Sequence, residues 1–114
     1  MAKIEILKSL VLEIKKKFSK TEANKILDII HSLKNNPRKG KLLGNVGGLV
    51  IKELKYKNFR FYFITDGFKL KYFDEENLVD LLLRFVRMSD KKHQQETIDK
   101  IKHILKTIGT EEFK

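Results

Sequence analysis

Apolar residues in the first third of the chain recur at steps of three and four. Leu7, Leu10, Val11, Ile14 and Phe18 fall on one stripe, and that spacing predicts an amphipathic helix. Lys15, Lys16 and Lys17 follow near its end, where cations suit the helix dipole. Lys3 to Ile6, ahead of it, read as a possible short strand. A second helix is predicted from about Thr21, capped by Ser19 or Thr21, through Ala23, Ile26, Leu27, Ile30 and Leu33. It should stop before Asn35-Asn36-Pro37, because the residue preceding proline avoids the helical region. The two segments form a helical hairpin, and each stripe must be buried against another element.

The period then changes. Residues 37–48 read as a glycine-bearing connector, and residues 49–56, 59–65 and 68–73 read as strands. Asp66-Gly67 reads as a hairpin turn. After the turn-like Asp74-Glu75-Glu76-Asn77, residues 78–86 predict a fourth strand, central because it is apolar on both faces. A last helix is predicted over 92–108, with Ile98, Ile101, Leu105 and Ile108 in register, ending before Gly109. The pattern therefore predicts an α+β single domain over residues 1–114. Its N-terminal α-hairpin packs on a mainly antiparallel four- to five-stranded sheet, and a C-terminal helix follows.

Composition agrees with one ordered domain. Of 114 residues, 41% are hydrophobic and 35% charged, with one Pro and six Gly, which is too apolar for a disordered chain. The net charge of +10 favours a polyanion or an acidic protein as partner. Without cysteine there is neither a disulfide framework nor a thiolate nucleophile, and three scattered His make no zinc site. No signal-peptide pattern or apolar run of transmembrane length occurs, so a cytoplasmic protein without membrane association is expected. Gly44, Gly47 and Gly48 superficially suggest a phosphate cradle, but no Lys-Ser/Thr pair follows them, and they read as a flexible turn. Asp74, Glu75 and Glu76 read as solvated rather than metal-binding. No metal or cofactor is expected.

Basic and hydroxyl side chains recur between Lys52 and Glu96: Lys55, Tyr56, Lys57, Arg60, Tyr62, Arg84, Arg87, Ser89, Lys91, Lys92 and His93. Strands with cations on one face and Phe or Leu on the other can grip a phosphate backbone while burying a core, so this stretch reads as a surface for RNA or DNA. Plainer readings stand beside that one. Arg60 and Arg84 also fit a solvated sheet face, Arg84 more so. Tyr62 alternates with Phe61 and Phe63 and also fits a half-buried packing residue. His31 and His103 read as surface residues.

An α-hairpin followed by Gly44 to Gly48, Lys52-Glu53-Leu54-Lys55 and Asn58-Phe59-Arg60-Phe61-Tyr62 on successive strands resembles the RelE/ParE toxin superfamily. Phe85-Val86-Arg87-Met88-Ser89-Asp90-Lys91, then Glu96-Thr97-Ile98, is closest to its HigB-like and phage Gp49-like branch. The resemblance covers about Lys3 to Leu105. Met88 replaces a basic position of that branch, His93 stands where it often has Pro, and Glu53 lies where some RelE toxins place a catalytic lysine. The 68–77 hairpin is longer than in compact members.

The resemblance implies a type II toxin of a toxin-antitoxin pair, an endoribonuclease that cleaves messenger RNA on the ribosome without a metal. The attacking group would be the ribose 2′-oxygen. Arg60 is then the first choice for phosphate stabilisation and Arg87 the second, because a guanidinium fork holds two phosphate oxygens. Lys91 is the candidate base and His93 the candidate acid. Lys55, Lys57, Tyr62, Arg84 and Lys92 are candidates for binding the nucleic acid. The implied partners are a cognate antitoxin with an acidic segment that folds on binding, messenger RNA and the ribosome. Two alternatives stay open: a ParE-like noncatalytic toxin acting on DNA gyrase, and a catalytically inactive RelE-fold protein that binds RNA.

Overall fold

The computed structural model describes residues 1–107. In chain order the elements are β1 (Lys3–Ile6), α1 (Lys8–Lys17), α2 (Lys20–His31), β2 (Lys41–Val46), β3 (Leu49–Tyr56), β4 (Phe59–Asp66), α3 (Gly67–Tyr72), β5 (Leu82–Asp90) and α4 (Gln94–Thr107). The strands form one sheet in the order β1-β5-β4-β3-β2, with β1 parallel to β5 and the other neighbours antiparallel. This is the α+β arrangement that the sequence pattern predicts, with the helical hairpin at the N-terminal end. The predicted end of the last helix at Ile108, before Gly109, lies outside the described residues.

The hairpin forms where the stripes predict it. Leu10 and Ile14 of α1 and Ala23, Ile26 and Ile30 of α2 are buried. Ser19 is the cap: its hydroxyl accepts from the Glu22 N–H at 3.2 Å. Phe18, at the corner, meets Phe59 edge-on at 4.9 Å between ring centroids and Tyr56 at 6.4 Å, which seats the hairpin against that face of the sheet. Directly paired residues of antiparallel strands share a face. The register therefore groups Leu54, Phe61 and Met88 on the hairpin face, together with the stacked pair Phe63 and Phe85. The opposite face carries Lys55, Arg60 and Ser89, then Glu53, Tyr62 and Arg87. α4 covers that second face, burying Ile98, Ile101 and Leu105 and running along β2 and β5.

Four local expectations need correction. Residues 68–73 are not a strand, and Asp66-Gly67 is not a hairpin turn: the Asp66 carboxylate accepts from the Lys69 N–H at 3.0 Å and caps the short helix α3. The 37–48 connector contains the edge strand β2, so Gly44 sits in a strand rather than a flexible turn, and only Gly47-Gly48 turns the chain into β3. The last strand runs from Leu82 to Asp90 rather than over 78–86, because Leu78 and Leu81 close the preceding turn through Leu81 N–H to Leu78 O. The last helix begins at Gln94 after a 3-10 turn at Lys91–His93. β5 is interior, as its two-sided apolar pattern predicts.

Candidate nucleic-acid interface

The hairpin turn between β3 and β4 aligns Lys55 with Arg60 and Glu53 with Tyr62 on the face beneath the start of α4. Arg60 Nε lies 3.2 Å from Glu53 Oε2, and the two side chains are only 9% and 5% exposed. Gln94, the first residue of α4, donates to Glu53 Oε1 at 2.9 Å. Arg60 Nη1 makes only a long 3.3 Å bond to the Phe59 carbonyl. Tyr62 is fully buried behind the pair. Ser89 Oγ gives its one proton to the Asp90 carbonyl at 2.9 Å, so the Tyr62 hydroxyl donates to it across 2.8 Å. Burial pushes the Tyr62 hydroxyl above its ordinary pKa, against the opposing pull of the Ser89 hydrogen bond. Every buried side-chain polar atom among the described residues has a partner.

Above the Arg60–Glu53 pair opens a cleft of about 500 Å³, with the exposed lysines Lys39, Lys41 and Lys55 at its rim and Gln94 at one wall. The loop that brings two of these lysines is held from below. Lys52 is buried, and its ammonium donates to the carbonyls of Arg38 at 2.9 Å and Lys39 at 3.0 Å. Burial lowers its pKa, and the Arg38 charge adds to that. Gly40 has φ +105°, and a Cβ there would come within 3.0 Å of the Phe63 ring and of the Glu53 carbonyl. Only glycine suits that conformation and that approach.

The remaining candidates are spread around this cleft. Lys91, Lys92 and His93 form the turn between β5 and α4, fixed by the Lys91 N–H on the Asn58 carbonyl at 2.9 Å. Lys91 and Lys92 are exposed. His93 Nδ1 lies 2.8 Å from Asp90 Oδ1, which also accepts the His93 N–H at 2.9 Å. These two hydrogen bonds, side chain first, hold the Asp90 carboxyl below its usual pKa. His93 is thus turned toward Asp90, and its neighbour Gln94 is the residue that reaches the cleft. Lys57, at φ 53°, joins Glu22 at 3.0 Å beside the Tyr56 hydroxyl. That contact lowers the Glu22 pKa and raises that of Lys57. Arg84 pairs with Glu5 at 2.8 Å, the structural role its sequence context favours. Arg87 donates to the Val86 carbonyl at 2.7 Å and faces α4 in a separate hollow with Glu96, Asp99 and His103.

Of the predicted residues, Arg60 and Lys55 therefore share the cleft, with Tyr62 as its support. Lys91, Lys92 and His93 stand on the adjoining turn, while Lys57, Arg84 and Arg87 are engaged elsewhere. The sequence pattern did not single out Lys39, Lys41 or Gln94, and it marked Glu53 only as a departure from the family pattern. A signal for Glu53 was present: a two-residue step places it on the same face as Lys55, opposite the strand that carries Arg60. His31 and His103 are exposed, as expected. No helix among the described residues is long and apolar enough to cross a membrane.

Chemically, the cleft joins cations that suit a phosphodiester to one carboxylate, which Arg60 and Gln94 hold in place. Comparison with protein-family models, with curated proteins and with solved structures found no match to this chain.

Proposed function

We propose that this chain is a RelE-like toxin of a toxin-antitoxin pair that binds messenger RNA in the lysine-rimmed cleft and cleaves it. The observation that carries the reading is the Arg60–Glu53 pair on the floor of that cleft. Glu53 takes the proton of a ribose 2′-hydroxyl as its oxygen attacks the adjacent phosphorus. The bond to the 5′-oxygen breaks, leaving a 2′,3′-cyclic phosphate and a 5′-hydroxyl. The outer edge of the Arg60 guanidinium, held by only one long bond, is available to the charge that builds on the phosphate. Lys39, Lys41 and Lys55 draw in the strand. Lys91 or His93, on the adjoining turn, protonates the leaving oxygen, which for His93 requires exchange of its Asp90 contact. An acidic antitoxin segment would compete for the same lysines.

The burial of Arg60 with Glu53 and the turning of His93 toward Asp90 favour a second reading, in which the same cleft binds RNA without cutting it. Induced expression separates the two. Growth arrest accompanied by new messenger RNA ends, both abolished by Arg60→Ala, supports cleavage. Salt-sensitive RNA binding without new ends supports the binder.

A further inference from the structure

A larger hollow, of about 730 Å³, lies on the sheet face opposite α4, between β2, β3 and α3. Seven large hydrophobic residues are exposed among the described residues, and three of them, Leu42, Phe68 and Tyr72, meet here. Phe68 and Tyr72 are each 63% exposed, with ring centroids 4.9 Å apart. They sit one turn apart on α3, which Asp66 caps and which Arg38 ties down by donating to the Phe73 carbonyl. Lys71 Nζ stands 5.4 Å from the Tyr72 ring, and Arg38 lines the same hollow. Among the described residues no carboxylate lines it, though Glu75 Oε1 stands 4.0 Å from Arg38 Nη1. Gly40 borders both this hollow and the Arg60 cleft, so the two adjoin at the end of β2.

Exposed aromatic faces interleaved with cations are the components of single-strand recognition, where bases stack and phosphates meet Lys or Arg. An acidic protein segment would use the cations and the aliphatic wall but would gain little from two open ring faces. We propose that the hollow is a base-stacking extension of the cleft. A single RNA strand with one phosphate at Arg60 continues past Gly40, places bases on Phe68 and Tyr72, and meets Arg38 and Lys71 with its backbone. This rests on the RNA reading of the cleft.

The chain has no Trp, so Tyr72→Trp installs a single indole as a reporter of stacking. In the full chain, a single-stranded RNA of twelve nucleotides should quench that indole, whereas polyglutamate should not. Phe68→Ala and Tyr72→Ala should each weaken binding of the twelve-mer by about fivefold or more. Leu12→Ala, at an equally exposed position on α1, should leave it unchanged. If the twelve-mer binds by anisotropy but neither quenches the indole nor responds to Phe68→Ala, the cleft reading survives and the stacking extension is overturned. Equal quenching by polyglutamate overturns it in favour of an acidic protein occupant. If the twelve-mer does not bind at all, the cleft reading falls and the extension falls with it.

Discussion

Glu53→Ala leaves the Arg60 guanidinium in a site where only 9% of its side chain is exposed, with its carboxylate gone and Gln94 deprived of an acceptor. Removing one partner of a buried ion pair costs about 3–5 kcal/mol, and a lost hydrogen bond about 1 kcal/mol more. Water entering through the cleft moves the sum to the low end, about 3 kcal/mol. In a domain of this size that lowers the melting midpoint by roughly 12 °C. Arg60→Ala should cost less, about 2 kcal/mol, because Gln94 still donates to the remaining carboxylate. The double variant no longer buries an uncompensated charge, so it should cost no more than about 3 kcal/mol, leaving a coupling near 2 kcal/mol. Urea unfolding of the wild type, both single variants and the double variant reads that coupling. Single-variant costs that add to within about 0.5 kcal/mol would refute the pair as an energetic unit.

Further outcomes follow from other contacts. Tyr62→Phe should lose about 1 kcal/mol in the same unfolding assay, since Ser89 keeps its bond to the Asp90 carbonyl; in the wild type, absorbance titration should show one tyrosine ionising above the usual range. Gly40→Ala should cost about 1–3 kcal/mol from the positive φ alone, with the Phe63 and Glu53 contacts adding to it, and RNA affinity should fall as Lys39 and Lys41 shift. Burial holds the Lys52 ammonium below its ordinary pKa, so the unfolded chain binds that proton more tightly. Stability in the wild type should therefore rise as pH climbs from the lowered value toward the usual lysine range. Denaturant midpoints collected against pH should show that rise flattened in Lys52→Met.

Much of the fold was legible because burial left a periodic trace. Ile14, Ile26 and Ile30 mark the hairpin stripes, and the long apolar runs around Phe61 and Phe85 mark the interior strands. What escaped were elements whose pattern fits two structures. The alternation of Phe68, Lys69, Leu70, Lys71 and Tyr72 suits a strand, but the Asp66 cap and the neighbouring sheet turn it into a helix that keeps two rings exposed. β2 escaped because an edge strand lies half in solvent, and its Gly44 and Asn45 look like loop residues. In the cleft, Arg60 was legible as a cation on an apolar strand. Glu53 was noticed only as a departure from a family pattern, since its meaning depends on cross-strand register and on a glutamine 41 residues away. The β4–β5 register shift at Tyr62/Phe63, which settles where Arg87 points, leaves no mark in the sequence.

The most direct test of the cleft is end-mapping of a messenger RNA incubated with translating ribosomes and purified protein, comparing the wild type with Glu53→Gln and Arg60→Ala. Glu53→Gln retains a hydrogen-bonding side chain for Gln94 and Arg60 but loses the proton acceptor. New 2′,3′-cyclic phosphate and 5′-hydroxyl ends are expected with the wild type and none with either variant, while Glu53→Gln still binds RNA. Cleavage by Glu53→Gln at the wild-type rate, or intact RNA with folded wild-type protein, would contradict the proposed cleavage.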